Sequence, residues 1–590
     1  MYNYNSKSKR TVYFIILLTM MIMMAIFLNS FYWPYEEVSK RKLLVWIIAG
    51  FGVIVFPLLC VKINFLYQYV QNIICRVETL MQKIKQNSKV ILLLLLGIAF
   101  SIGIAYVAAE VMCQYVMHSP YNSKLFELFV GLFSITVLIC FLGRNAHKQQ
   151  AIIFLIISLI MGGTSLSVMP NRVGISWDDE IHYKRTLEIS NLLNGIMYVA
   201  DERNIIEYAD NIYGRQGYDR ESATQYEQEL ETSYEFKEWN SHKFREYGIW
   251  SLSYIPAAIG IMLARGLGFS YIGVFNMGRM FNLLAYALLI YFAIKRLKYG
   301  KVLIATIGLI PTSLFMAASY SYDWWVTGFT ILGFSYFFAE LQDEETLKIK
   351  NVLIIIGSVL LGCLPKAIYF PILFPLLFMP KKKFKNVKQR QMFYFLVIGA
   401  GVLLVASFML PMLFNGTGTG DARGGAEVNA TEQIRYILQN PVEFIKMLFN
   451  FLKYYVSPQS TGPMLQRLAY MGEGEFYGIV SVILVVVAFL DRGDMCEVHP
   501  VVRIAGITGC AVALVLSTTA LYVSFTAVGA DTVAGMQGRY MIPFIFPTLY
   551  CMGVGGVQHK INKNAFVCVP MIIISLTFFY NMWRSCVLPY

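Results

Sequence analysis

The sequence predicts an all-α integral membrane protein with about 15 transmembrane helices. Three observations carry this prediction. Of the 590 residues, 57% are hydrophobic and only 14% charged, with a mean hydropathy of +0.55. Soluble globular chains are about 45–50% apolar and about 25% charged, so this chain has too few polar residues to cover a soluble fold. Apolar runs recur at roughly the 20-residue length that a helix needs to cross a bilayer. Basic clusters fall between them in the alternation expected of cytoplasmic loops.

The runs begin near residues 11, 43, 90, 125, 150, 272, 302, 324, 351, 391, 476, 502, 540 and 565, with a shorter one at about 366–380. The first follows Lys7, Lys9 and Arg10, and no small-residue cleavage site comes after it. It reads as a span with a cytoplasmic N-terminus rather than a cleaved signal peptide. Arg144/Lys148, Lys295/Arg296/Lys298/Lys301, the block KKKFKNVKQR at 381–390 and Lys560/Lys563 mark further cytoplasmic loops. If 249–265 and 272–294 both crossed, Lys295–Lys301 would lie outside. The segment 249–265 is therefore expected to be a juxtamembrane or half-inserted helix on the outer face, and 441–456 an outer interfacial helix. In 62–89, Leu66, Val70, Ile73, Val77, Leu80 and Ile84 repeat at helical spacing among Arg76, Lys83, Lys85 and Lys89. This predicts an amphipathic helix on the cytoplasmic surface. The net charge of +13 sits mainly in short loops, where it sets topology and does not point to nucleic acid. The ten cysteines lie mostly inside apolar runs with no C-x-x-C pair and read as small core residues.

Two outer loops remain, about 169–248 and 414–475. The first holds 16 of the chain's 36 acidic residues against nine basic ones. Asn415 and Asn429 begin glycosylation-type triplets, which are frequent by chance. The first loop contains SWDDEIHYKRTLEIS, where Asp178, Asp179, Glu180 and His182 crowd together. Adjacent carboxylates repel, so at least one pKa should rise. Such a cluster suits a general base or a divalent metal. It equally suits the start of a helix, where acids complement the dipole. Ile181, Leu187, Ile189 and Leu192 predict that an outer helix starts here. His182 has no second His or Cys at ligand spacing and reads as an orienting or solvated histidine.

Ionised residues within a bilayer are costly and usually mark a pathway or site. By topology, Asp323, Lys366, Arg539 and Arg279 all fall toward the same face as Asp178 and Asp179. Lys366 and Arg539 also suit snorkelling to headgroups, and Arg279 suits a structural pair with Asp323. Asn282 is placed to bridge helices. No nucleotide-binding motif occurs, and Gly416–Gly425 reads as a mobile loop.

WDDEIHYKR resembles the signature of DUF2142, a family of bacterial membrane proteins with an Asp-Glu-x-x-His-like motif after an early span. PTSLFMAASYSYDWW (311–325), PKAIYFPIL (365–373), MGRMFN (277–282) and QGRYMIPF (537–544) resemble further family segments in the same order. The resemblance covers about 150–560. Residues 1–149 then read as N-terminal spans and 150–590 as the family's membrane domain. That family resembles GT-C glycosyltransferases, which use a polyprenyl-phosphate-linked sugar and keep a catalytic acid in the first outer loop. The resemblance implies a multi-pass protein of the bacterial cytoplasmic membrane that moves such a sugar to a cell-envelope acceptor on the outer face. Asp178 or Asp179 would be the base, and Lys366 and Arg539 would hold the donor phosphate. Glu180, His182, Asp323 and Arg279 would support them. An inverting transfer from a lipid phosphate needs a carboxylate for the acceptor hydroxyl and cations for the departing phosphate. The alternatives are a transporter or flippase of a lipid-linked envelope precursor, or a non-catalytic scaffold of an envelope-synthesis complex. Transporters often carry internal repeats, and none is visible here.

Overall fold

The computed structural model describes residues 88–193, 199–200, 238–239, 249–415, 424–472, 476, 478–491, 498–553 and 560–588. The two spans expected before residue 62, nearly all of the amphipathic segment 62–89, and most of the Gly416–Gly425 loop lie outside the described residues. The described residues are mainly helical, and the strands among them are a two-residue antiparallel pair, Val199–Ala200 with Glu238–Trp239.

Local chemistry sets the helix boundaries. Helix α1 (Ser88–Val111) leads to α2 (Ser123–Leu142), which Asn122 caps by accepting the N–H groups of Lys124 and Leu125 at 2.9 and 3.3 Å. Helix α3 (Gln150–Val168) follows, and then α4 (Asp179–Leu193) beyond a loop. A 3-10 turn (Ile249–Tyr254) opens α5 (Ile255–Gly266), which packs against α4 and the start of α6 (Tyr271–Arg296). Helix α5 runs on directly from that turn, so 249–266 is one short helical segment. The apolar run at 302–319 is split by Pro311, which starts its own helix, giving α7 (Lys301–Gly308) and α8 (Pro311–Ala317).

Helix α9 (Asp323–Gln342) packs along α10 (Ile349–Cys363). Leu364–Phe378 then continues as 3-10 helix, because Pro371 and Pro375 remove backbone donors that an α-helix needs. Leu347 N–H donates to the carbonyl of Lys383 at 2.7 Å, so the two ends of 347–383 meet. The segment is therefore a hairpin. Its turn lies at Lys366, whose φ/ψ of −134°/66° breaks the helix.

Helix α11 (Val387–Asn415) precedes a group of shorter helices, α12 (Ala430–Gln439), α13 (Pro441–Tyr455) and α14 (Pro458–Gln466). Asn429 caps α12 through the N–H groups of Thr431 and Glu432, both at 3.1 Å. Helix α13 buries Met447 and Tyr455 and leaves Val442, Ile445 and Phe449 exposed, the pattern of a helix lying at an interface. Helices α15 (Ile479–Leu490), α16 (Pro500–Phe525), α17 (Ile542–Met552) and α18 (Lys563–Met582) complete the described chain.

Eight segments among the described residues are long and apolar enough to cross a membrane. The bundle they build has two chemically distinct ends. At one, Arg296 pairs with Glu340 (2.5 Å) and Asp343 (3.2 Å), Lys298 pairs with Asp343 (2.7 Å), and Lys383 donates to the carbonyls of Asp343 and Glu345. Asp491 accepts the N–H of Leu303 at 2.8 Å there, and Asn564 donates to the carbonyl of Arg144 at 2.7 Å. These are the basic loops expected on one side of the membrane. At the other end lie Asp178, Asp323, Lys366 and Arg539. The described cysteines are unbridged, and all but Cys140 are buried.

Glycines let α9 and α10 approach closely. A Cβ on Gly333 would lie 3.1 Å from Val359 N, and one on Gly362 would lie 3.1 Å from Thr330 N. Because α9 starts with Asp323 and α10 leads to Lys366, this contact also aligns the charged end. Gly333→Leu and Gly362→Leu are expected to cost about 1–3 kcal/mol each by overpacking, read as a lowered Tm of the purified protein. In a cysteine-free background, Phe269→Cys and Lys382→Cys should react with an impermeant maleimide from opposite sides of the membrane.

Candidate functional site

The site is built from the ends of elements far apart in sequence. Asp323 is the first residue of α9. Its Oδ1 meets Lys366 Nζ at 2.5 Å, and its Oδ2 meets Arg539 Nη1 at 3.1 Å and accepts from Ser321 Oγ at 3.0 Å. Ser321 in turn accepts the N–H of Asp323 at 2.9 Å, which fixes the carboxylate at the helix start. Arg539, in the turn before α17, uses Nη2 to hold Asp178 at 2.6 Å and Nη1 to reach the carbonyl of Trp177 at 3.3 Å. Two carboxylates and two cations thus form one chain: Lys366–Asp323–Arg539–Asp178.

Burial differs along that chain. The side chains of Asp323 and Arg539 are each 5% exposed, while that of Asp178 is 29% exposed. Asp178 is the more exposed carboxylate of the two. Aromatic rings enclose the cations: Lys366 Nζ lies 4.1 Å from the Tyr540 ring centre and 5.6 Å from that of Tyr322, and the Arg539 guanidinium lies 5.2 Å from Trp177.

The three neighbouring acids take different partners. Asp178 has φ of 57°, a left-handed backbone that is uncommon outside glycine and that asparagine and aspartate adopt most readily among the rest. This turn sends Asp178 toward Arg539 and turns Asp179 back on its own loop. There Asp179 accepts the N–H groups of Gly174 (2.9 Å), Ile175 (3.2 Å) and Ser176 (3.0 Å). Burial pushes the Asp179 carboxyl up to about 7, and Glu180 adds to the rise, against the pull of those three donors. Glu180 is half-buried in the first turn of α4. Among the described residues, no three His, Cys, Asp or Glu side chains converge as a metal ion would require. The rise expected from crowded acids is found at Asp179, while Asp178 turns away to Arg539.

His182 is buried, and its Nδ1 lies 2.9 Å from the Tyr254 hydroxyl. Burial holds its imidazole down to about 4, so it is neutral near pH 7. Its ring packs edge-on against Tyr322 with centres 4.7 Å apart.

Arg279 is a brace. It donates to the carbonyls of Ala318 (3.1 Å) and Pro170 (3.3 Å) and to Asn276 Oδ1 (3.1 Å), joining the loops after α3 and α8. The cations on Asp323 are Lys366 and Arg539, so the pairing of Arg279 with Asp323 is not formed. Neither Lys366 nor Arg539 snorkels; both turn inward onto Asp323 and are buried. Asn282 bridges α6 to the carbonyl of Ser319 at 3.1 Å. Sequence reasoning missed Trp177, Tyr254, Tyr322 and Tyr540. Trp177, Tyr322 and Tyr540 each directly adjoin a charged residue of the site, and that adjacency was the available signal.

A helical bundle with apolar membrane-length helices and a charged cluster buried at one end defines a polytopic membrane protein with a candidate site at the membrane surface. The family described as predicted membrane protein (DUF2142) matches residues 159–548, which contain all four members of the ionic chain, and this protein belongs to that family. No curated protein and no solved structure matches the chain significantly.

Removing one partner from a buried ionic cluster costs about 3–5 kcal/mol. Asp323→Asn should therefore lower the Tm sharply, and Asp323→Asn combined with Lys366→Met should recover part of the loss. The pH dependence separates His182 from Asp179. His182, at about 4 folded against 6.5 in its ordinary state, loses stability as pH falls from 6.5 toward 4. Asp179, at about 7 folded against 3.8, loses stability as pH rises from 4 toward 7. The two oppose each other in wild type. In Tm measured against pH, His182→Gln should tilt the profile downward with rising pH across this window, and Asp179→Asn upward.

Proposed function

We propose that this protein is a membrane glycosyltransferase of GT-C-like architecture. It moves a sugar from a polyprenyl-phosphate-linked donor to a cell-envelope glycan or lipid on the outer face of the bacterial cytoplasmic membrane. The carrying observation is the Lys366–Asp323–Arg539–Asp178 chain, in which two buried cations stand beside a partly exposed carboxylate. With about 15 spans and a cytoplasmic N-terminus, the site end of the bundle faces outward.

The assigned roles follow from exposure and pairing. Asp178 takes the proton from the acceptor hydroxyl as that oxygen attacks the anomeric carbon. The bond from that carbon to the phosphate oxygen breaks, and the electron pair leaves with the phosphate. Arg539 and Lys366, both held by Asp323, balance the charge that builds there as fixed cations. Asp323 holds both cations in place before substrate arrives. Asp179 is occupied by three backbone donors, which favours Asp178 as the base. Arg279, Glu180 and His182 support the frame.

Loss of a general base typically costs about 10²–10⁴ in rate. In a deletion strain complemented at matched protein levels, Asp178→Asn should leave the envelope glycan profile lacking the same sugar as the deletion. The same variant, purified, should fail to transfer that sugar from its polyprenyl phosphate. A wild-type profile from Asp178→Asn removes the reading. Loss of the sugar in cells with normal transfer by the purified variant would indicate transport instead.

A further inference from the structure

The His182–Tyr254 contact fixes more than a ring orientation. Tyr254 is buried, with 6% exposure, and burial keeps its hydroxyl protonated. A buried phenol must place its hydrogen on an acceptor, and His182 Nδ1 at 2.9 Å is the acceptor it has. A neutral imidazole carries one proton. If Tyr254 donates to Nδ1, that proton sits on Nε2. The opposite tautomer would leave both the phenol hydrogen and the Nε2 lone pair without partners. The first arrangement leaves a single orphan, the Nε2–H donor. His182 Nε2 is buried and has no hydrogen-bond partner among the described residues. The ring is 4% exposed, packs on Tyr322, and feels the charges of Asp178, Arg539, Asp323 and Lys366. An unpaired buried donor is costly unless a ligand completes it.

We infer that His182 Nε2–H donates to an anionic oxygen of the bound substrate, a third donor to the phosphate beside Arg539 and Lys366, and that Tyr254 is the positioning residue that sets its tautomer. This rests on the lipid-phosphate reading above. A neutral donor suits this place. It adds a directed hydrogen bond without a further buried charge in a cluster whose two cations and two carboxylates already balance. As a donor with no lone pair left on Nε2, His182 is also removed from competition with Asp178 for the acceptor's proton.

The test is binding by the full chain in nanodiscs, using a polyprenyl phosphate and the polyprenol of equal chain length as probes. Wild type should favour the phosphate. His182→Ala should weaken phosphate binding about tenfold or more, as loss of a hydrogen bond to a charged group does, and leave polyprenol binding unchanged. His182→Gln, whose amide nitrogen stands near the Nε2 position, should restore most of the difference. Tyr254→Phe should weaken phosphate binding in the wild-type background and have no effect in the His182→Gln background, where no tautomer remains to set. Equal phosphate affinity in His182→Ala and wild type, or an equal cost of Tyr254→Phe in both backgrounds, overturns the inference while the phosphate site stands. If wild type binds both lipids alike, the phosphate reading and this inference fall together. Should His182→Ala not fold, the Tyr254→Phe comparison between the wild-type and His182→Gln backgrounds decides.

Discussion

The carboxylate of Asp323 is the constraint on which the rest depends. A buried charge is tolerated only when others meet it with good geometry, and Asp323 is met by cations from two distant segments. Lys366 arrives from the turn of a hairpin closed at its base by Leu347 and Lys383. Arg539 arrives from the turn before α17 and carries on to Asp178. The hairpin, the start of α9, the entry to α17 and the loop before α4 are therefore held at one end of the bundle by one ionic chain. An apolar cluster of equal size would stabilise as well or better.

The loop from Pro170 to Asp178 leaves one member of that chain partly exposed. Arg279 anchors its start, and the three N–H groups of Gly174, Ile175 and Ser176 close on Asp179. With the loop so pinned, the left-handed turn at Asp178 is held, and its carboxylate points to Arg539 while remaining partly exposed. Two neighbouring aspartates thus take opposite tasks. One secures the backbone and the other pairs with Arg539 while staying partly exposed. The aromatic side chains of Trp177, Tyr322 and Tyr540 exclude water around the cations and strengthen their fields.

Helix α4 shows why part of this was hidden. The apolar spacing of Ile181, Leu187, Ile189 and Leu192 pointed to a helix, and a helix begins at Asp179 as expected. Its buried residues are Asp179, His182, Tyr183, Thr186, Leu187, Glu188, Ile189 and Ser190, so Leu187 and Ile189 of the predicted stripe are buried while Ile181 is 41% exposed. Most of that face is polar and carries only a weak hydrophobic signal, since its polar side chains are buried by partners on other elements. The resemblance to DUF2142 segments was legible in short motifs, because each motif is local. Their convergence was not, because Asp178 and Arg539 are 361 residues apart.

The sequence by itself determined that the chain is helical and membrane-embedded, where its basic loops lie, and which ionisable residues fall toward one face. Those properties follow from composition and local periodicity, which water and lipid read without reference to tertiary contacts. Only the tertiary structure decided which of those residues meet. It gave Lys366 and Arg539 to Asp323, removed Arg279 to a bracing role, separated Asp178 from Asp179 and brought Tyr254 to His182. These are pairings across helix ends, set by backbone direction and packing angle, and a one-residue change in register would replace every one of them.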